Sequence, residues 1–201
     1  MWVRLALGQT YLIVLSYGSG DLSLTHGLRT QGGSRGSPPQ TLHFFYYSLW
    51  LHSTRLQESG HEPIIVAPTA PKVYRGKYGT TVEAAYDAGS IAGKSLAGVI
   101  IPGGWAPDRL RMSAEIVGLV KRTYESGGFV AGICHAGSLL VSCGVLDGKT
   151  VTSYPSLRDD MVLAGAEWMD LEVVVSDRII TSRRPSDLPA FMAEVMRILK
   201  G

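Results

Sequence analysis

Short apolar runs, each cut off by glycine or proline, recur along this chain with helix-like segments between them. Residues 63–67 sit between Pro63 and Pro68, residues 96–101 stop at Pro102-Gly103-Gly104, and residues 129–133 follow Gly127-Gly128. Runs of this length and bounding read as buried strands. Between the last two, Ser113 is a good helix N-cap with Glu115 in the first turn, and Gly127-Gly128 a stop. Residues 44–57 suit a helix ending at Gly60, residues 72–86 (with Gly76 and Gly79) a hairpin or a pair of short strands, 136–142 and 158–164 short helices. Two strands, 171–175 and 178–182, flank a Ser176-Asp177 turn. In the last helix Leu188, Phe191, Met192, Val195, Met196 and Leu199 fall on one face at i, i+3, i+4, i+7 spacing, which is a core stripe. Strands alternating with helices imply an α/β fold with a mainly parallel sheet covered on both faces. In such sheets ligands bind beyond the carboxyl ends of the strands, here after Leu15, Ile101 and Ile133.

The 201 residues suffice for one domain and not for two comfortable cores. A net charge of +2 with scattered basic residues gives no footprint for nucleic acid or a membrane surface. The apolar run at 11–15, with Arg4 ahead of it, faintly resembles a signal peptide, yet lacks a clean cleavage pattern and is better explained as a parallel strand. No stretch approaches the ~20 apolar residues that span a bilayer. Cys134 and Cys143 show no metal-ligand or disulfide spacing, so a reduced, cytoplasmic protein without a metal is expected. Residues 25–45 contain Gln31-Gly32-Gly33-Ser34-Arg35-Gly36-Ser37-Pro38-Pro39-Gln40, a linker-like stretch unable to pack a core. The chain therefore reads as a single domain over 1–201 with an atypical, poorly ordered insertion at about 25–45.

Chemistry concentrates where the strand at 129–133 runs into Cys134-His135-Ala136-Gly137 and an apolar helix. Gly132-Ile133-Cys134-His135-Ala136 has nucleophile-elbow spacing, with small residues two before and two after the nucleophile. Larger side chains there would collide with neighbouring backbone in the sharp turn. A free thiol has a pKa of ~8.5, and a helix N-terminus with cationic neighbours can lower it to roughly 3.5–7.5. On that basis the thiolate is expected to predominate. The N–H of His135 is placed to act as an oxyanion donor, and the Pro102-Gly103-Gly104 turn can supply a second, each worth about 3–4 kcal/mol in the barrier. The His135 side chain either serves as acid/base or points away from the thiol, and adjacency alone leaves both open. Cys143, late in an apolar helix, reads as core. His26, His43, His52 and His61 carry no pattern that asks for a chemical role.

Several motifs in order then resemble the PfpI family of the glutamine-amidotransferase-like superfamily: 100–108 (Ile-Ile-Pro-Gly-Gly-Trp-Ala-Pro-Asp), 131–135, Thr152-Ser153-Tyr154-Pro155, Arg158-Asp159-Asp160, 165–168 and 182–188. That family includes intracellular cysteine peptidases, glyoxalases and protein deglycases. The resemblance implies a flavodoxin-like three-layer sandwich assembling as a homo-oligomer, a dimer or hexamer. It implies Cys134 as nucleophile, His135 as its partner, Gly104 and His135 as main-chain oxyanion donors, and no cofactor. In peptidase-like members an acidic residue from the adjacent subunit completes the site, and its position falls on Asp108. The family's glutamate on the loop after the first strand falls on Gly20, with Asp21 next to it as a weak acid substitute. Losing a positioned acid/base group can cost about 10²–10⁴ in rate.

Three functions follow as expectations. The first is a cysteine-dependent glyoxalase or deglycase acting on α-oxoaldehydes or their adducts, favoured because a buried site suits a small aldehyde. The second is an intracellular cysteine peptidase acting on a peptide. The third is a catalytically weakened member that senses oxidants or binds a partner through Cys134.

Overall fold

The computed structural model describes residues 10–14, 53, 55–75 and 81–200. The expected insertion at about 25–45, Gly20, Asp21, His26, His43 and His52 lie outside them.

The apolar runs do form strands. Strands β1 (Thr10–Val14), β2 (Glu62–Ala67), β5 (Tyr86–Asp87), β6 (Leu96–Ile101), β7 (Phe129–Ile133), β10 (Val173–Ser176) and β11 (Ile179–Ser182) make a seven-stranded sheet in the order β10-β11-β7-β6-β1-β2-β5. Every pairing is parallel except β10 with β11. A hairpin of β3 (Lys72–Arg75) and β4 (Thr81–Ala84) and a parallel pair of β8 (Thr150–Val151) and β9 (Glu167–Trp168) stand apart from it. The antiparallel pair fits the expectation for 72–86, except that Tyr86 lies in β5 of the main sheet. Arg178 falls in the turn rather than in a strand, because Asp177 takes a left-handed φ of 56° and the ladder resumes at Ile179.

The helices that follow β6 are α1 (Ala106–Leu110), α2 (Ala114–Glu125), α3 (Gly137–Cys143), α4 (Arg158–Leu163) and α5 (Leu188–Lys200). The Ser113 hydroxyl accepts a hydrogen bond from the Ile116 N–H at 3.3 Å and so caps α2 as expected. Gly127, at φ 93°, ends it.

Alternation along the central strands sorts side chains to two faces. Val99, Ile101 and Val130 join Leu119, Val120, Leu139 and Met161 in one apolar cluster. Ile100, Ala131, Ile133 and Ile180 join Phe191, Met192 and Val195 of α5 in the other. Each such large side chain taken fully from water contributes about 1.5–3 kcal/mol. The sheet is thus buried on both sides, giving the three-layer α/β sandwich. Its parallel strands all end at one edge, and the turns after Ile101, Ile133 and Ser182 meet there.

Candidate active site

Strand β7 delivers Ile133 in extended conformation (φ −119°, ψ 143°), and the next residue, Cys134, turns abruptly to φ 63°. A non-glycine residue held in this left-handed region stores about 1–3 kcal/mol of strain. Cys134 opens a 3₁₀ turn, Cys134–Ala136, that feeds α3. The small residues on either side are required by packing. A β-carbon on Gly132 would lie 3.0 Å from the Ala136 Cβ and 3.3 Å from Leu140 Cδ1. The elbow read from residues 132–136 is therefore present in three dimensions.

The turn after β6 comes up against this elbow. Gly103 sits so close that a β-carbon there would be 2.7 Å from the Cys134 Cβ. This approach brings the next residue, Gly104 (φ 77°), to the thiol. The backbone N–H groups of Gly104 and His135 both hydrogen-bond the Cys134 sulfur. These are the two main-chain donors expected for an oxyanion hole.

His135 resolves in favour of contact. Its Nδ1 lies 3.2 Å from the Cys134 sulfur. Burial lowers the His135 pKa, while the charge of Asp108 opposes that shift. Asp108 stands in the first turn of α1 in the same chain, so it reaches the imidazole electrostatically without a second subunit. Cys134, His135, Asp108 and the Gly104 N–H thus converge at the carboxyl edge of β6 and β7.

One expectation is corrected. Cys134 is only 8% exposed as a residue, and burial raises the pKa of its thiol. The two N–H bonds pull the other way and are outweighed. A sequence shows the donors and not the desolvation, so the predominant thiolate inferred from the helix N-terminus does not follow. Burial thus favours the neutral thiol over the thiolate. Cys143 behaves as read: it is buried in the core, with its thiol pushed up to about 12 by desolvation.

Tyr154, which the sequence offered only as part of the 152–155 motif and with no role, also belongs to the site. It stacks on His135 with ring centroids 4.8 Å apart and planes 23° from parallel. Its N–H donates to the Cys134 carbonyl at 3.2 Å. The dipeptide Tyr154-Pro155 held a usable signal, since a residue before proline is pushed to extended backbone. Its pairing with His135, nineteen positions upstream, had none.

Among the described residues no group of three His, Cys, Asp or Glu side chains gathers to hold a metal ion. No helix among them is long and apolar enough to cross a membrane.

The chain is 41% identical to a deglycase of Pyrococcus abyssi over 146 residues, which covers 73% of this chain and 87% of that protein. It is 40% identical to the deglycase PfpI of Pyrococcus furiosus over the same extents. The crystal structure of Drosophila melanogaster DJ-1beta superposes with a TM-score of 0.74 at 20% identity, covering 94% of this chain and 88% of that one, and shares its fold. The model of the DJ-1/PfpI family matches residues 48–198. A matched span that contains the elbow, the Gly103-Gly104 turn and all but one strand of the central sheet shows that this chain belongs to the DJ-1/PfpI family.

Proposed function

We propose that this protein is a cysteine-dependent glyoxalase and deglycase that converts α-oxoaldehydes, or their adducts with amines and thiols, to 2-hydroxy acids without an added cofactor. The observation that carries the proposal is the strained Cys134, with two N–H donors on its sulfur and His135 Nδ1 at 3.2 Å. The deglycase relatives support the same reading.

His135 is neutral at ordinary pH because burial lowers its pKa, so its ring can accept a proton. The thiol proton passes to Nδ1 as the sulfur attacks the aldehyde carbon. The aldehyde oxygen becomes an oxyanion stabilised by the N–H groups of Gly104 and His135, then takes the proton from the imidazolium to give the hemithioacetal and a neutral imidazole. The imidazole then takes the C1 proton and returns it to the adjacent carbonyl carbon through an enediol, while the C1 hydroxyl proton passes to that carbon's oxygen, leaving a thioester on Cys134 beside a new hydroxyl. Water cleaves the carbon–sulfur bond, the 2-hydroxy acid departs, and the sulfur recovers its proton. The sum is oxoaldehyde plus water to hydroxy acid. The Asp108 carboxylate favours the transient imidazolium.

Burial of Cys134 in its own chain favours a small aldehyde over a polypeptide as substrate. It also weighs against a thiol tuned for oxidant sensing, which needs an accessible thiolate. The expected setting is a cytoplasmic homo-oligomer. The test is incubation with methylglyoxal in the absence of added thiols, with products followed by NMR. One lactate is expected per aldehyde consumed. An unconsumed aldehyde together with cleavage of a peptide substrate would point to the peptidase instead.

A further inference from the structure

We propose that Tyr154 is a positioning residue, whose ring and main chain together hold the His135 imidazole in line with the Cys134 sulfur. The assignment rests on reading Cys134 and His135 as nucleophile and base.

Neighbouring side chains on a tight turn ordinarily diverge, so a contact of 3.2 Å between His135 Nδ1 and the preceding residue's sulfur needs a cause. Among the described residues the ring's hydrogen-bond partner is the Cys134 sulfur. The outer face of the imidazole instead meets the Tyr154 ring at 4.8 Å, 23° from parallel. Among the described residues, the Cys134 thiol, the charge of Asp108 from α1 and this ring bear on the imidazole. Of these, the ring alone presents a flat surface able to set the imidazole's tilt.

The tyrosine is itself anchored at several points. Its N–H bonds the Cys134 carbonyl at 3.2 Å, so ring and nucleophile share one frame. The preceding hydroxyl, Ser153 Oγ, donates to the Tyr154 carbonyl at 3.0 Å and accepts from Trp168 Nε1 at 3.0 Å. The Thr152 N–H donates to Thr181 Oγ1 at 2.9 Å, which ties the segment to β11. Pro155 restricts Tyr154 to extended backbone, observed at φ −57° and ψ 133°. A side chain merely covering the site would not require so fixed a main chain. The Tyr154 residue remains 42% exposed, so it has not been recruited chiefly for the core.

The experiment compares wild type with Tyr154→Phe, Tyr154→Leu and Tyr154→Met, and with His135→Ala to set the loss caused by removing the imidazole. Two quantities are read: the rate of Cys134 alkylation by iodoacetamide across the pH range, and kcat and KM with methylglyoxal. Tyr154→Phe keeps the ring face and is expected within about twofold of wild type in both, because the hydroxyl plays no part in the stack. Whichever of the Leu and Met variants folds is expected to lose about 10–100-fold in alkylation rate and kcat with KM unchanged, as a misplaced catalytic group does. Wild-type rates in those variants would overturn the proposal. So would a Phe variant as impaired as Leu, which would make the hydroxyl the active part, or a loss confined to KM, which would make Tyr154 a substrate wall. If wild type fails to turn over methylglyoxal, the proposed activity falls, while the alkylation series still decides the role of Tyr154.

Discussion

Gly103 and Cys134 approach so closely that position 103 has no room for a side chain: a β-carbon there would lie 2.7 Å from the Cys134 Cβ and 3.1 Å from the Ile133 carbonyl oxygen. Neither neighbour is the loose end of a flexible chain. Gly103→Ala must therefore push the β6 turn away from the elbow and withdraw the Gly104 N–H from the sulfur. Loss of one such donor costs about 10²–10³ in kcat. Steady-state kinetics with methylglyoxal should show a drop of that size in a folded protein. A variant with wild-type kcat would mean that Gly104 does not stabilise the reacting oxygen.

The upward shift of the Cys134 thiol has a direct consequence for pH dependence. Burial holds the Cys134 pKa above its ordinary value. Alkylation by iodoacetamide should keep accelerating as pH rises past about 8.5, where an ordinary thiol begins to level off. A plateau reached already at neutral pH would show a preformed thiolate.

Cys143 makes a separate prediction, in stability. Its folded-state pKa is raised to about 12, so the native protein retains a proton that the unfolded chain gives up near pH ~8.5. The stabilisation is complete below the unfolded value and is lost as pH rises from there towards the folded one. The slope is at most about 1.4 kcal/mol per pH unit for one group. Urea unfolding should show this decline in wild type above pH ~9, and Cys143→Ala should flatten it. Equal slopes in the two proteins would place the Cys143 thiol in water.

The sequence made the sandwich legible wherever one physical signal dominated. The stripe from Leu188 to Met196 is buried in α5 as its spacing implied, and Ser113 caps α2 through its hydroxyl. The elbow was readable because Gly132 and Ala136 are small for a steric reason that spacing alone conveys. Helix α1 escaped notice, since five residues with Pro107 near the start are too few to show a period. Strands β8 and β9, two residues each, are held by pairing rather than propensity. The site was legible in its main-chain donors and nucleophile. It was not legible in what surrounds them: the desolvation that raises the thiol, the in-chain charge of Asp108 and the Tyr154 stack all depend on packing between segments distant in sequence.

The most direct test of the account is methylglyoxal turnover by wild type and Cys134→Ser, purified and assayed side by side without added thiol. Replacing the nucleophile while keeping the elbow should lower kcat by about 10³-fold or more, leaving the fold intact by circular dichroism. Equal rates in the two proteins, whether substantial or near zero, would contradict the claim that Cys134 is the catalytic nucleophile.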